Sequence, residues 1–346
     1  MSEPSVTPAG DLIALDIGGA NLKAADGRGW AHAEPFAMWR EWRGLQDALA
    51  RVLRAAGARR CVATMTGEIA DCFPSRATGV AHIVESLAAA ARDLGIDVGI
   101  YVVDGRLVAP ADALRDPLPA AASNWHALAR LAAAHAPAPR SLLIDVGSTT
   151  TDVVALVEGA PAPLAFDDAG RMLGGELVYT GVERTPVPAL VRALPHRGTP
   201  RPVAAERFAD SRDAWLMVGG LPENHADRDT ADGGPVSRDA ARARIARTLL
   251  LDPGDVSEAD ARAAAERIVT VQTRRVAAAL RRVAGRHGWR PCGVVLSGHG
   301  EPLARRALEI TWPGIAAVSL ADAVGHDASR SAPAHALALI ARGALR

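Results

Sequence analysis

The sequence has little of several residue types, and each shortage excludes a class of protein. Three cysteines in 346 residues, at positions 61, 72 and 292, share no CxxC spacing and cannot form a disulfide framework. Basic and acidic residues balance at 39 each, whereas a general nucleic-acid binder needs a basic excess. No apolar run reaches the roughly 18 residues of a membrane span, and the polar N-terminus does not resemble a signal peptide. We therefore expect a cytoplasmic chain that partners neither nucleic acid nor membrane.

Lysine is almost absent, since Lys23 is one lysine among 39 basic residues. A chain that uses arginine elsewhere keeps lysine where a compact, flexible ammonium group is needed. A coding bias toward arginine that left one lysine by chance explains the count equally well. Hydrophobic residues make up 49% of the chain and charged residues 23%, which is typical of a globular protein with a full core. The length predicts about two domains.

Hydrophobic periodicity indicates an α/β chain in two halves, divided at the proline-rich segment 136–140. In the first half we expect strands at 11–17, 61–66 and 97–104, helices at 41–56 and 77–94, and a helix to about 135 with Ser123 as its N-cap. In the second half we expect strands at 141–147, 149–159, 161–167, 293–297 and 315–319, a loop-like stretch at 170–202, and helices at 204–217, 238–250, 257–286 and 333–345.

Two hairpins repeat within the chain. Aligning Asp16 with Asp145 places LIALDIGGANLKA against SLLIDVGSTTTDV, and Gly18 then meets Gly147. Each segment is an apolar strand, an aspartate, a turn of small residues and a second strand. Such pieces also arise by chance in α/β proteins, but the elements that follow match at first as well. The pattern therefore favours a duplication that gives two similar domains.

The turns of these hairpins suit a phosphate ligand. Small residues let backbone N–H groups approach an anion, and the second turn adds serine and threonine hydroxyls. Asp16 and Asp145 would repel phosphate directly, but they suit a hydrated Mg²⁺. Asp152, which aligns with Lys23, is included among the candidate metal ligands. The alternative is that these aspartates only cap the ends of their strands.

Several common catalytic motifs do not occur in the sequence. A GxxxxGK(S/T) segment is missing, which excludes a Walker P-loop. The absence of HExxH and GxSxG excludes the zincin and nucleophile-elbow classes. The histidines are scattered without the spacing of metal ligands. The two hairpins therefore remain the strongest candidates for a functional site.

Three segments, DIGGANLK, LIDVGSTTTDVV and VVLSGHGEPLARRAL, resemble the two phosphate motifs and the later glycine turn of the actin-like ATPase and sugar-kinase superfamily. Within it the chain resembles the hydantoinase/oxoprolinase-like branch. The resemblance implies two RNase H-like (actin-like ATPase) domains that face a central cleft. We place the first domain at 1–137 and the second, with a helical insertion, at 138–329. The C-terminal helix at 330–346 is expected to pack on the first domain.

Four longer segments are more specific: TMTGEIADCFPSRATGV, ASNWHALA, GGELVYTGVERTPV and DTADGGPVSRDAARAR. They resemble one family, the synthases of methanofuran and methylofuran biosynthesis. The family implies a transferase that condenses a furan-methyl diphosphate with the phenol of gamma-glutamyltyramine, or of tyramine, and releases diphosphate. It also implies Mg²⁺ as cofactor and no ATP requirement. Position 299 departs from the pattern, because histidine stands where relatives commonly have a small residue.

Candidate residues follow from this chemistry. A positive site lowers the barrier to diphosphate departure, and a carboxylate accepts the proton of a phenol whose pKa is about 10. Glu68 and Asp71 follow a buried strand; as an alternative, they are a helix cap and a first-turn acid. Tyr179 stacks on a ring or fills its loop, and the glutamyl carboxylate or the amines bind to other polar side chains. The candidates are, for catalysis, Lys23, Glu68 and Asp71; for diphosphate, Gly18, Gly19, Ala20, Asn21, Gly147, Ser148, Thr149, Thr150, Gly298 and Gly300; for substrate, Asn124, His126, Tyr179 and Arg184; and for metal, Asp16, Asp145 and Asp152.

Two other functions remain open on the sequence. An ATP-dependent small-molecule kinase or ATPase of the same superfamily would share every phosphate-site residue. A nucleotide-gated assembly module is the second alternative, although such proteins usually carry additional polymer contacts or a peptide-binding domain. ATP hydrolysis and tight nucleotide binding distinguish these functions from the synthase. The remaining expected partners are the small-molecule substrates and, as a possibility, further copies of the same chain.

Overall fold

The computed structural model describes residues 10–345, which form two compact units. The first unit contains the chain up to Ser141, Leu156–Gly170 and the residues from Val318 onward, and the second contains Leu142–Ala155 and Arg171–Ala317. The final helix of the chain thus belongs to the first unit. None of the helices in the described part of the chain combines the length and apolarity needed to cross a bilayer.

Strands and helices alternate along most of the chain. In chain order the strands are β1 (Leu12–Ile17), β2 (Asn21–Ala25), β3 (Ala31–Pro35), β4 (Arg60–Met65), β5 (Asp97–Tyr101), β6 (Leu107–Val108), β7 (Arg140–Val146), β8 (Thr151–Val157), β9 (Ala160–Pro161), β10 (Leu177–Val178), β11 (Ala193–His196), β12 (Thr199–Pro202), β13 (Gly293–Ser297) and β14 (Ala316–Ser319). The α-helices are α1 (Met38–Glu41), α2 (Leu45–Ala56), α3 (Arg76–Arg92), α4 (Pro110–Arg115), α5 (Asn124–Ala134), α6 (Asp168–Gly174), α7 (Val187–Leu190), α8 (Ser211–Met217), α9 (Arg238–Thr248), α10 (Glu258–Arg286), α11 (Glu301–Thr311), α12 (Leu320–Val324), α13 (His326–Arg330) and α14 (Ala332–Ala341).

The first sheet has the strand order β3-β2-β1-β4-β5-β6. Strand β1 pairs antiparallel with β2 and parallel with β4, and all six of its residues are buried. A strand that is covered on both faces has apolar residues at successive positions instead of alternating apolar and polar ones. The segment LIALDI has such a continuous apolar run up to its aspartate. Helices α2 and α3 pack on each other, and α14 packs on β1, β4 and α5. The central strand β1 is thus covered by α14.

The second sheet repeats this arrangement. Its order is β10-β8-β7-β13-β14, so β8-β7-β13-β14 corresponds to β2-β1-β4-β5 of the first sheet. The turns correspond in detail as well, because the amide of Gly18 donates to the Asn21 carbonyl at 3.0 Å and the amide of Gly147 donates to the Thr150 carbonyl at 2.9 Å. The predicted α/β class and the predicted internal repeat are confirmed.

Several elements differ from the sequence-based prediction. The stretch 170–202 is not loop-like, since it contains two helices, strand β10 and the β11–β12 hairpin. The predicted helix at 204–217 is helical only at Ser211–Met217, where Asp210 and Asp213 form a capping box. The predicted helix at 41–56 begins at Leu45, after the short helix α1 and the single 3₁₀ turn Trp42–Gly44. Of the predicted strand at 161–167, only Pro161 is in a strand. Each miss concerns short elements, whose apolar periodicity is weak.

Candidate active site

In the first turn, Gly18–Asn21, the two middle residues use their carbonyls but not their amides in backbone hydrogen bonds. The carbonyls of Gly19 and Ala20 accept hydrogen bonds from the amides of Met38 and Phe36. Among residues 10–345, no acceptor contacts the amides of Gly19 and Ala20, and the space where a Gly19 Cβ would lie is open. Successive backbone N–H groups that lack an acceptor favour the binding of an anion.

Asp16 lies beside this turn and is nearly inaccessible to solvent, at 5% exposure. In the β1–β2 register it is paired with Lys23, and its side chain is hydrogen-bonded to Asn124. Burial raises the pKa of Asp16, while the Lys23 charge and the Asn124 hydrogen bond act in the opposite direction. Its Oδ1 has no hydrogen-bond partner within the described residues. A buried carboxylate oxygen without a partner is costly, so the position suits a bound cation.

Glu68 is another buried carboxyl group of the first unit, with 1% exposure. It lies in the 3₁₀ turn Gly67–Ile69, and its Oε1 accepts a hydrogen bond from the amide of Ala122 at 3.1 Å. Its Oε2 has no partner in the described part of the chain. Burial raises the pKa of Glu68 to about 7, because its effect outweighs the lowering by the backbone hydrogen bonds and by Arg76. A carboxyl group with this pKa is suited to accept a proton near neutral pH.

A single short segment connects these two carboxyl groups. Ala122 donates its amide to Glu68, the hydroxyl of Ser123 lies 2.7 Å from that of Thr64, and Asn124 hydrogen-bonds to Asp16. Ser123 does occupy the N-cap position of α5, but its hydroxyl contacts Thr64 instead of capping the helix, which corrects the predicted capping role. The segment therefore fixes Asp16 and Glu68 relative to each other.

The backbone around Glu68 is tightly packed. A Cβ added at Gly79 on α3 would lie 2.2 Å from the Glu68 carbonyl oxygen, and one added at Gly67 would lie 3.0 Å from the Gly18 carbonyl oxygen. Ala122 has a positive φ of 48°, which is unusual for a residue other than glycine. Glycines at these contacts thus allow the turn that carries Glu68 to pack against both α3 and the first phosphate turn.

The other candidates of the first unit lie in different surroundings. Asp71 is exposed, so it lacks the burial that tunes Glu68. His126 is buried, and its Nδ1 lies 2.8 Å from the hydroxyl of Tyr101. Asn124 is half-buried and contacts Asp16 as described, although the sequence suggested a substrate-binding role for it.

The second turn, Gly147–Thr150, is held by a neighbouring segment. The amide of Val182 donates to the Gly147 carbonyl, and the amides of Glu183 and Arg184 both donate to the Ser148 carbonyl. A Cβ at Gly181 would lie 2.4 Å from the Thr149 nitrogen, so only glycine permits this close approach.

Buried polar side chains fix that neighbouring segment, and the sequence analysis did not identify them. The Gln272 side-chain amide on α10 donates to Thr180 Oγ1 and to the Gly181 carbonyl, which also accepts from the hydroxyl of Ser211. The hydroxyl of Thr151 donates to the Thr180 carbonyl. The one signal in the sequence was a polar residue, Gln272, at an otherwise apolar position of α10. The structure shows that its side chain is fully buried.

The glycine turn after β13 packs against the end of β7. Gly298 has a φ of 81°, and a Cβ there would lie 2.2 Å from the Val146 carbonyl oxygen and 2.8 Å from Asp145 Oδ1. The amide of Gly300 donates to the same carbonyl. Asp145, which is half-buried, is thus enclosed by the second phosphate turn and this glycine turn.

Asp152 is neutralised by a protein side chain. Its Oδ1 lies 2.6 Å from the guanidinium of Arg171, which is itself 1% exposed. This ion pair compensates the charge of the Asp152 carboxylate without a metal ion. Tyr179 is 57% exposed, and Arg184 forms an ion pair with Asp229 at 3.5 Å. Within residues 10–345 no group of three or more His, Cys, Asp or Glu side chains is arranged to hold a metal ion.

The chain belongs to the hydantoinase/oxoprolinase family, whose model matches residues 59–341. Two proteins with similar sequences carry the same name, (4-{4-[2-(gamma-L-glutamylamino)ethyl]phenoxymethyl}furan-2-yl)methanamine synthase. The protein from Methanocaldococcus jannaschii is 28% identical over 94% of this chain and 96% of its own length. The protein from Methanococcus vannielii is 27% identical over 59% of this chain and 91% of its own length.

Solved structures similar to this chain include sugar kinases and an actin relative. A ROK family glucokinase from Streptomyces griseus is 14% identical, with coverage of 96% of this chain and 99% of the kinase and a TM-score of 0.47. An archaeal actin homologue is 12% identical, with coverage of 96% and 99% and a TM-score of 0.43.

Proposed function

We propose that this chain is an ether-forming synthase of methanofuran-type cofactor biosynthesis. It joins the phenol of gamma-glutamyltyramine, or of tyramine, to an aminomethylfuran-methyl diphosphate and releases diphosphate. The observation that carries the proposal is the likeness to the Methanocaldococcus jannaschii synthase, which spans 94% of this chain and 96% of that protein. The name of that relative describes a phenoxymethyl group on a furan, which is an aryl ether. A synthase therefore accounts for the chain better than a kinase or an assembly module.

The reaction is a substitution at the methylene carbon attached to the furan. The bond between that carbon and the diphosphate oxygen breaks, and the electron pair leaves with diphosphate. The phenol oxygen forms the new bond to carbon and loses its proton. Because the furan ring delocalises positive charge at the carbon, the transition state is loose, and groups that stabilise the departing anion lower its barrier most.

Glu68 is the proposed base for the phenol proton. Its Oε2 is buried without a partner among the described residues, and its pKa of about 7 leaves a substantial fraction ionised at neutral pH. The hydrogen bond from Ala122 fixes the other carboxylate oxygen, so the proton goes to Oε2. A positioned base of this kind contributes about 10²–10⁴ in rate. Exposed Asp71 is the weaker candidate, since water competes for its carboxylate.

Each unit offers its own groups for the phosphoryl oxygens. In the first unit these are the amides of Gly19 and Ala20 and the ammonium of Lys23. In the second unit they are the hydroxyls of Ser148, Thr149 and Thr150, with the glycine turn at 298–300 supporting them. Preorganised amide and hydroxyl donors stabilise an anion without reorganisation during the reaction.

In each unit, an aspartate beside the turn is a proposed ligand of a hydrated magnesium ion. Asp16, with its buried and unpartnered Oδ1, would hold a hydrated ion in the first unit, and Asp145 is the equivalent carboxylate of the second. When bound, Mg²⁺ would neutralise charge on the diphosphate. Asn124 orients the Asp16 carboxylate for this purpose. Arg184 and Tyr179 remain the proposed contacts for the glutamyl carboxylate and an aromatic ring, and buried His126 is the least accessible substrate candidate.

The experiment that tests the proposal is incubation of the pure protein with the furan diphosphate, gamma-glutamyltyramine and MgCl₂. We expect the ether by mass spectrometry and one diphosphate per ether without ATP, and no stimulation when ATP is added. A parallel incubation with tyramine defines whether the glutamyl group is needed. ATP hydrolysis that depends on a small-molecule acceptor, with no ether formed, would instead support the kinase function.

A further inference from the structure

We propose that His299 is an additional phosphoryl-binding residue of the second turn and that Glu183 positions it. The inference rests on the proposed function in one respect, namely that the ligand of this turn is diphosphate. The inference adds a side chain to the site. Neither the repeated hairpins nor the family resemblance gave His299 a role, because only the flanking glycines were predicted to bind phosphate.

The backbone places His299 at the end of β7. Its neighbour Gly298 has a positive φ of 81°, and a Cβ at that position would collide with the Val146 carbonyl at 2.2 Å. On the other side, the amide of Gly300 donates to the same carbonyl at 3.0 Å. The two glycines therefore clamp the backbone of His299 against the strand that leads directly into the phosphate turn.

Glu183 connects the imidazole to the phosphate turn by a second route. The amide of Glu183 donates to the Ser148 carbonyl at 3.1 Å, so its backbone is attached to the turn. Its Oε1 lies 3.6 Å from Nε2 of His299, and its Oε2 lies 2.7 Å from the guanidinium of Arg212. Burial raises the pKa of Glu183, but the contacts with His299 and Arg212 outweigh it and hold the pKa at about 2.

This arrangement is suited to an anion. Glu183 remains a carboxylate at neutral pH and faces one ring nitrogen of His299, while 50% of the histidine side chain is exposed to solvent. A carboxylate that faces one nitrogen orients the ring. In the imidazolium form both ring nitrogens are donors, so the nitrogen that does not face Glu183 can donate to an anion. A diphosphate bound by the hydroxyls of Ser148 and Thr149 would receive a charge-assisted hydrogen bond from a donor that is already in place.

The test measures binding of inorganic diphosphate, with MgCl₂ present, by isothermal titration calorimetry. We compare wild type with His299→Ala and His299→Gln. The matched control is His225→Ala, which removes an exposed histidine of the same unit outside the turn. Loss of a charge-assisted hydrogen bond predicts about a tenfold weaker affinity for His299→Ala. We expect His299→Gln to recover part of the loss, because it keeps an N–H donor, and His225→Ala to bind as wild type does.

The outcomes separate this inference from the proposed function. Equal diphosphate affinity in wild type and both His299 variants, or no affinity in wild type, overturns the inference even if ether forms. A weaker affinity in a His299 variant with unchanged thermal stability supports it even if wild type forms no ether. In the ether assay, we expect diphosphate to inhibit His299→Ala less strongly than wild type, while the KM for the phenol changes little. A purely structural ion pair would not produce this difference.

Discussion

The backbone amide of Ala122 donates a hydrogen bond to Oε1 of Glu68 at 3.1 Å. Two residues further on, Asn124 hydrogen-bonds to Asp16, so one short segment supports two buried carboxyl groups of the first unit. Ala122 adopts a positive φ of 48° to do so. Backbone strain of this kind persists where the surrounding structure fixes it, and it is common at functional sites.

Replacement of Glu68 by glutamine tests the proposed base. Glu68→Gln keeps the size of the side chain but cannot accept the phenol proton, so we expect ether formation to fall by about 10²–10⁴. In wild type, kcat/KM should rise as the pH increases through about 7, because Glu68 must lose its proton to act. The variant should lack that rise. Glu85→Gln, on an exposed position of α3, is the matched control and should behave as wild type.

The same carboxyl group makes stability depend on pH. Its pKa is about 7 in the folded protein and 4.5 ordinarily, so the folded state binds more protons between these values. The free energy of unfolding therefore decreases as the pH rises through this window, and the decrease attributable to Glu68 is on the order of 3 kcal/mol. Urea unfolding at pH 5 and pH 8 measures it. Relative to wild type, Glu68→Gln should become more stable at pH 8; a constant difference at both pH values would mean that Glu68 is not desolvated.

Asn124 is expected to act through Asp16 rather than by touching the substrate. Removing a group that orients a metal-binding carboxylate typically lowers metal affinity by about 10–100-fold. We expect Asn124→Ala to weaken Mg²⁺-dependent diphosphate binding by a factor in that range and to leave the KM for the phenol substrate nearly unchanged. Gln46→Ala, an exposed amide on α2, controls for general effects. A rise in the phenol KM alone would restore the substrate-binding role that the sequence suggested.

Lys23 offers a chemical test because no other lysine occurs in the chain. An amine-directed acetylating reagent can modify only Lys23 and the N-terminus, and peptide mass analysis separates the two. We expect Mg²⁺-diphosphate to slow acetylation of Lys23 several-fold without affecting the N-terminus. Acetylated protein and Lys23→Ala should both stay folded and lose most of their turnover. Equal labelling with and without diphosphate would place Lys23 outside the phosphate site.

The repeat was the part of the fold that the sequence predicted best. Asp16 and Asp145 lie near the ends of apolar strands, and the turns after them contain small residues, so the alignment of the two halves predicted two similar hairpins. The matching hydrogen bonds at Gly18 and Gly147 agree with that alignment. The long helix α10 was also predicted closely, because Ser257 and Asp260 form its capping box. The hairpin at 193–202 was missed since its prolines hide the alternation that marks a strand.

The site was predicted less completely than the fold. Sequence proximity suggested Glu68 and Asp71 equally, and only burial distinguishes them. The hydrogen bond from Ala122 to Glu68 joins residues 54 positions apart, which local patterns do not reveal. The ion pair of Asp152 with Arg171 and the contacts of Gln272 with Thr180 and Gly181 likewise depend on tertiary packing.

The most direct test of the central claim follows the oxygen atom. Gamma-glutamyltyramine labelled with ¹⁸O at the phenol is incubated with the furan diphosphate, MgCl₂ and the protein, without ATP. The proposed substitution predicts that the ether retains the ¹⁸O and that the released diphosphate contains none. Label in the diphosphate, or no ether from folded protein, would contradict the assignment of this chain as an ether-forming synthase.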